Sequence, residues 1–496
     1  MPFTAKREVG YTPDASALFY ALATPQDSLL LESADIESKK NLTCIAITKA
    51  ALKVVCRGQA VTATALTPAG QLLLDELRQD FRSRISQDGE DSTTFSFELS
   101  TEHDERARLR ATSTADILRT LQFSQLYSSE SLPFIGGGFA FDYVETFEKL
   151  PPVPDGLNGY PDYEFLVAEH VLTVDHLTET AKIEGWGVDK QALEEELDRA
   201  ARTEPITPQP PQPLTTISAR ASIDDAAFRR HVERLQGNVH AGDIYQVVPS
   251  RAFSLDCPDA FAAYRTLRET NPSPYMFYLR GAEHELFGAS PESNLKYTAT
   301  DRQVQLYPVA GTRPRGATHE LDIRNELEMR TDSKEVSEHI MLVDLARNDL
   351  ARVAVPGTRQ VADLLQVDRY SRVMHLVSRV VATLHEDFDA LDAYRAPSEM
   401  CIRDRLRAME LIRETEGTRR GSFGGAIGYL RGDGSMDNCI VIRSAYVKDG
   451  TAVVQAGAGV VRDSIPQSEA DETVHKAYAV LSAIAQAHNA SLEVIR

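Results

Sequence analysis

The sequence predicts an α+β fold in which two interleaved parts share large, mostly antiparallel β-sheets in a sandwich-like core flanked by helices. Short apolar runs of strand type, bounded by turn residues, recur along the chain. Helical windows fall between them without strict βαβ alternation. At 496 residues, 42% hydrophobic and 25% charged, the chain can bury more than one domain's core.

In order, residues 1–202 carry the strand-type runs "LTCIAITKAALKVVCR", "PFIGGGFAFDYV" and "FLVAEHVLTVDH", then the helical window "DKQALEEELDRAARTE". The stretch at 203–217, which opens "TEPITPQPPQPLTT", is too rich in proline to hold a helix and is predicted to be a linker. Residues 218–496 form the second part. "SIDDAAFRRHVERLQGNVHAG" predicts a helix with Ser222 at its N-cap. Strands are expected in "DIYQVVPSRAFSL", "YMFYLRG", "HELFGASPE", "SNLKYTAT" and "RQVQLYPVAGT". One long helix over 323–352 and another in "SEADETVHKAYAVLSAIAQAH" complete the pattern.

A formal charge of −20 disfavours nucleic acid and anionic membrane as partners, because phosphates are repelled by such a field. No run approaches 18 apolar residues, and "MPFTAKREVG" lacks a signal-peptide core, so a soluble cytoplasmic protein is expected. Cys44, Cys56, Cys257, Cys401 and Cys439 are scattered singly, which fits neither a disulfide framework nor a zinc site.

Several residues could carry chemistry. Glu335, Glu338, His339 and Leu342 fall at i, i+3, i+4 and i+7 and share one helical face, although spacing alone equally describes a solvated face. Glu472 and Lys476 at i and i+4 are equally compatible with a surface ion pair. The glycine-rich "QAGAGVV", with Gly457, Ala458 and Gly459, precedes the last helix, where backbone N–H groups can hold a carboxylate or simply make a turn. "PVAGTRPRG" offers Gly311, Thr312 and guanidinium groups. Arg443, in the strand-like "CIVIRSA", needs an anionic partner. His375, among apolar residues in "SRVMHLVSRV", is a structural histidine or a general acid or base.

Taken together, "FGASPESNLKY", "PVAGTRPRG", "TDSKEVSEHIMLVDLARNDL", "SRVMHLVSRV", "CIVIRSA" and "QAGAGVVRDSIPQSEADETVHKA" closely resemble the chorismate-using enzymes of the anthranilate synthase component I type. The resemblance extends to "LLLES" and "GGGFAFDYVE" near the N-terminus. It implies a lyase of tryptophan biosynthesis that converts chorismate and ammonia to anthranilate and pyruvate. Ammonia would come from a glutaminase partner in a heterotetramer, with feedback inhibition by tryptophan. It further implies Mg²⁺ on Glu338 and Glu472, two carboxylates that suit a hard cation retaining part of its hydration shell. Gly311, Thr312, Gln246, Phe423, Arg443, Gly457, Ala458 and Gly459 match substrate-contact positions. Glu335 matches an acid that assists hydroxyl departure, His375 the residue that promotes elimination, and Lys476 a further catalytic position. To donate a proton at neutral pH, Glu335 would need a pKa above the ordinary carboxylate value of about 4.3. Glu32, Ser33, Pro274, Tyr275 and Met276 resemble the tryptophan site.

Two positions separate the branches of the family. Gln246 stands where the water-adding isochorismate and salicylate relatives resemble one another in carrying a lysine base, and Ala310 where aminodeoxychorismate relatives place a lysine nucleophile. Ammonia addition followed by aromatisation is the expectation that remains. Two departures stand out. Phe423 replaces the tyrosine of a Gly-Ser-Tyr-Gly-Gly stretch, which removes a hydroxyl worth about 1 kcal/mol if it binds substrate. "PSEMCIRDRL", 397–406, replaces a Gly-Thr-Leu-Ser-Gly-Ala-Pro-Lys segment with a substrate-facing threonine and resembles translated sequencing-adapter read-through joined between coherent flanks. The alternative expectation is therefore a catalytically impaired homologue that still binds tryptophan and partner.

Overall fold

The computed structural model describes residues 2–35, 38, 40–102, 104–369, 373–398 and 404–496, with the backbone alone for residues 105, 334, 397, 398, 404 and 405. Of the replaced loop at 397–406, residues 399–403, Cys401 among them, therefore lie outside the described residues.

β1 (Ser28–Ala34) runs antiparallel to β2 (Asn41–Arg57), which pairs on its other edge with β3 (Tyr163–Asp175). All three are rich in aliphatic and β-branched residues, and β3 is buried along nearly its whole length, as expected for a central strand covered on both faces. The Pro-rich stretch then runs without helix or strand until a short strand at Thr216–Ala221. α1 (Asp225–Ala241) follows, capped by Asp224, whose carboxylate accepts the Ala227 N–H at 2.7 Å. Ser222 is not the N-cap. Its hydroxyl accepts the Ala252 N–H at 3.1 Å, leaving the helix start to a charged acceptor that the helix dipole favours.

β4 (Ser250–Asp256) is shorter than its predicted run, because residues 243–249 form an irregular segment before it. β5 (Tyr275–Arg280) pairs back across the linker with β1, Met276 opposite Glu32, and also with β6 (Glu285–Ser290). One hydrogen-bonded sheet thus carries strands from both sides of the Pro-rich stretch. β7 (Val309–Pro314) leads into α2 (His319–Thr331) and α3 (Ser333–Ala351). The predicted single helix over 323–352 is broken at Asp332, an extended residue (φ −69, ψ 111) that closes α2 and accepts the Glu335 N–H at 3.3 Å. An Asp within helical periodicity competes for backbone donors, and here it starts a new helix.

β8 (Val373–Thr383) pairs with β7, α4 (Asp404–Glu416) follows, and β9 (Met436–Ile440), β10 (Ser444–Lys448) and β11 (Thr451–Gly457) return to the sheet before α5 (Pro466–Ala487). Among the described residues the named pairings are antiparallel except that of Thr216–Ala221 with Ser491–Ile495. Two large apolar cores form, one including Leu29, Ile135, Phe277 and Ile427 and the other including Leu30, Leu172, Tyr278 and Ile484, so each draws on both parts of the chain. No helix among the described residues is long and apolar enough to cross a membrane.

Arg251 on β4 fixes α5 against the sheet. It is fully buried, with Nε donating to Thr473 Oγ1 at 2.9 Å, Nη2 to the Ala470 carbonyl at 3.0 Å and Nη1 2.8 Å from Asp225. Replacing it by Met keeps much of the volume and leaves these acceptors unanswered. Arg251→Met is expected to lower stability by about 3 kcal/mol, seen as a lower urea midpoint by circular dichroism.

Candidate active site

A cleft is built from two walls. The first is β7, β8 and α3. Thr312 lies opposite His375, and the register slips at Gly311, whose φ of +83° lets the strand bulge. The bulge turns the Gly311 carbonyl toward the imidazole: His375 Nδ1 is 3.1 Å from that oxygen and 3.0 Å from Thr312 Oγ1. Because a carbonyl only accepts, the ring proton sits on Nδ1 and Nε2 keeps the basic lone pair. Burial pushes the His375 pKa down to about 4; the Gly311 carbonyl opposes this, and the charges of Arg443 and Lys476 add to it. The imidazole is therefore neutral near pH 7.

Glu335, in the first turn of α3, accepts from Arg313 Nη1 at 2.7 Å, and Arg313 also holds Asp332 at 2.9 Å. A Cβ placed on Gly311 would lie 3.2 Å from Glu335 Oε2, so this carboxylate reaches the His375 neighbourhood. Glu338, one turn on, is half-buried. The buried His339 beside it bonds Ser378 Oγ at 2.6 Å and the Ala310 carbonyl at 3.3 Å, which fastens α3 to both strands.

The second wall is formed where β6, β9, β10, β11 and α5 meet. Arg443 is not inside a strand. It occupies the break between β9 and β10 with a left-handed backbone, φ +52°, and its carbonyl accepts the Ala289 N–H at 3.1 Å. A non-glycine residue in this region is strained, a feature that concentrates at functional sites. Burial lowers the Arg443 pKa, while Glu292 and Glu472 oppose that shift. Burial conversely pushes Glu292 up to about 7, against the pull of Arg443 and Lys476. Lys476 Nζ lies 2.5 Å from Glu472 and donates to the Gly457 carbonyl at 3.1 Å. Glu292, Arg443 and His375 keep some accessible surface while densely surrounded, as side chains lining a cleft do.

The glycine loop closes the site. A Cβ on Gly459 would approach Gln246 Nε2 to 2.8 Å, so glycine there is what lets the amide lie against the loop. The Ala458 N–H goes to the Pro249 carbonyl at 3.2 Å rather than toward a ligand. Phe423 is buried, its ring 5.6 Å from the Arg420 guanidinium.

The remaining predicted residues gather on β1 and β5. Glu32 is buried, with Tyr264 donating to Oε2 at 2.5 Å and Arg268 Nε 2.8 Å away, while Oε1 has no hydrogen-bond partner among the described residues. Met276 faces Glu32 across the ladder, Ser33 Oγ lies 2.9 Å from Thr43 Oγ1, Pro274 is half-buried and Tyr275 donates to Asp437 at 3.1 Å.

Sequence reasoning missed three participants. Glu292 follows Pro291 just after the apolar run "ELFGAS", and a lone carboxylate beside such a run was the signal the sequence offered. Tyr264 and Arg268 are an i, i+4 pair on the helix Ala260–Thr270. Away from the cleft, Glu169, His170 and Glu196 also converge, but Lys49 already bridges both carboxylates at 2.7 Å.

Residues 71–482 match the model of the chorismate binding enzyme family, and the chain belongs to that family. It is 49% identical to anthranilate synthase component 1 of Vibrio parahaemolyticus, over 98% of this chain and 93% of that protein. Identity to the Escherichia coli K12 protein of the same name is 47%, over 97% of each. Its fold is similar to the crystal structure of anthranilate synthase component I from Streptococcus pneumoniae, with a TM-score of 0.71, 28% identity and coverage of 88% of this chain and 92% of that one. A menaquinone-specific isochorismate synthase from Escherichia coli shares the fold at a TM-score of 0.69 and 18% identity, covering 98% of this chain and 95% of its own.

The two shifted groups oppose each other in their effect on stability. Glu292 holds its proton to about pH 7 in the fold but only to the ordinary carboxylate value when unfolded, so its contribution is lost as pH rises between them. His375 binds fewer protons folded than unfolded between about pH 4 and 6.5, so its contribution is lost as pH falls. Metal-free Glu292→Gln is therefore expected to melt above wild type at pH 8, with the gain shrinking toward pH 4.5. Identical midpoints at pH 8 would show that burial does not retain the proton.

Proposed function

We propose that this chain combines chorismate with ammonia to give anthranilate, pyruvate and water, as component I of an anthranilate synthase. The observation that carries the reading is the meeting of a proton-bearing Glu292, the Arg443 and Lys476 cations and a neutral His375 in one cleft. Arg443 answers the enolpyruvyl carboxylate. Glu292, near neutrality, gives a proton to the departing 4-hydroxyl, a task for which Glu335, held by Arg313, is less suited. His375 Nε2 takes the C2 proton during pyruvate elimination, with Nδ1–H held by Gly311 so that the basic nitrogen is oriented. Thr312, Gly311, Gln246 and the Gly457–Gly459 loop shape the pocket around the ring. An amide at Gln246 and a methyl at Ala310 supply neither a lysine base for water nor a lysine nucleophile, which favours ammonia as the attacking group.

Glu338 and Glu472 would hold Mg²⁺. Their oxygen donors suit a hard cation, and Lys476, 2.5 Å from Glu472, would have to share that carboxylate with the metal. When bound, the metal neutralises the ring carboxylate of the substrate. Ammonia would be delivered by a glutaminase subunit in a cytoplasmic heterotetramer. Tryptophan would inhibit from the β1–β5 site, its ammonium meeting Glu32 Oε1, which has no hydrogen-bond partner among the described residues, and its indole packing on Met276 and Tyr275.

The segment at 397–406 favours a second reading, a homologue that binds tryptophan and partner without turnover. Chorismate, Mg²⁺ and ammonium salt at alkaline pH, followed by anthranilate fluorescence, separates the two. Anthranilate is the expected product; isochorismate or aminodeoxychorismate would reassign the branch, and tryptophan binding without product would support the second reading. Arg443→Gln should cost about 10²-fold in kcat/KM, matching about 3 kcal/mol for a charge-assisted bond. Tryptophan should raise the thermal midpoint of wild type and fail to do so for Glu32→Ala; an equal shift in both would move the inhibitor elsewhere.

A further inference from the structure

We propose that Glu416 and Arg420 form a positioning pair that sets the gap between Gln246 and the Gly457–Gly459 loop, and through it the affinity for chorismate. The proposal rests on the functional reading above for its substrate, but its geometry stands on its own bonds.

Glu416 is the last residue of α4, the end at which a helix dipole disfavours a carboxylate. It is nonetheless buried, its side chain 7% exposed, as is that of Arg420 at 5%. Arg420 grips it as a fork, Nε to Oε2 at 2.9 Å and Nη2 to Oε1 at 2.5 Å. Burying such a pair gains little over packing two apolar side chains in its place. What it adds is found in the bonds that leave it.

Those bonds converge on one short segment. Glu416 Oε1 accepts the Ser250 N–H at 2.7 Å and the Ser250 hydroxyl at 2.9 Å, and Gln455 Nε2 donates to the same hydroxyl at 2.8 Å. Arg420 Nη2 donates to the Val248 carbonyl at 2.6 Å. Residues 248–250 are thereby held at both ends. Between them the Pro249 carbonyl takes the Ala458 N–H at 3.2 Å, and Val247 bridges to Val460. Gln246 is the next residue along, its amide within 2.8 Å of the space a Gly459 side chain would occupy. A displacement of 248–250 therefore opens or closes the cleft floor.

The apolar layer beneath already supplies cohesion: Leu411 and Ile412 of α4 pack with Ile244, Val247 and Val460. The same guanidinium lies 4.7 Å from the Phe141 ring and 5.6 Å from that of Phe423, so the pair also places the Phe423 position. Packing holds this region together, and the ion pair selects its spacing.

The test is Glu416→Gln, which keeps the size and removes the charge. Hydrogen exchange in the substrate-free full chain should become about 10-fold faster at 246–251 and 457–460, the equivalent of one charge-assisted bond, and stay unchanged in β2 and β3. In the ammonium assay the chorismate KM should rise about 10-fold while kcat changes by less than about 3-fold. Ser250→Ala, which leaves Glu416 and Arg420 paired, should give the same two segments a smaller acceleration and guards against a Glu416→Gln chain that does not fold. Unchanged exchange at both segments, faster exchange throughout the sheet, or a fall in kcat at constant KM would each overturn the proposal. If wild type forms no anthranilate the functional reading fails, and the exchange result still decides whether the pair positions the two segments.

Discussion

The site is organised around a single buried cation held in a strained backbone. Arg443 sits at φ +52° between two strands, its pKa lowered by burial against the opposing pull of Glu292 and Glu472. Its charge in turn keeps Glu292 from rising further and helps keep His375 neutral. Substituting a neutral residue would shift both groups at once. A chain with a formal charge of −20 can accommodate a dicarboxylate because positive charge is concentrated at this point while the surface remains acidic.

Arg443 can occupy that place because the sheet is shared by both parts of the chain. β1 pairs with β5, β5 with β6, and β6 with β10, whose first residue follows Arg443 directly. Tyr275 on β5 lies opposite Ser290, two residues before Glu292, and its hydroxyl reaches Asp437 on β9. The Glu32 neighbourhood and the Glu292 neighbourhood thus lie at the same end of adjacent strands, since Glu32 pairs with Met276 and Met276 with Ala289. Neither part could be removed without leaving an open sheet edge and half a core exposed.

Much of this was legible in sequence because it follows from periodicity. The central strands and α5 are long apolar patterns whose register leaves little choice. What escaped was local and three-dimensional. Asp332 breaks the predicted 323–352 helix because its side chain offers the backbone an alternative acceptor, which apolar spacing does not encode. Arg443 reads as part of a strand because a left-handed residue leaves no mark on hydrophobicity. Glu292 was overlooked beside Glu335 because proton retention depends on surrounding atoms drawn from β6, β10 and α5, elements far apart in sequence. Similarly, the hold of Arg268 and Tyr264 on one oxygen of Glu32 comes from a helix far further along the chain and leaves no mark on the local sequence.

The foreign-looking segment at 397–406 interrupts a region that is otherwise consistent on both sides. Upstream, Arg395 and Tyr394 are buried, Tyr394 stacking on Phe139 at 4.4 Å. Downstream, α4 buries Leu411 and Ile412 and ends in the carboxylate that grips Arg420. Packing on each side is specified by contacts to distant elements rather than by the segment between them, so the flanks keep their places through a change of joining sequence. The fold can therefore tolerate this segment, because burial is distributed over two cores that draw on both sides of it, and no single joining residue carries them.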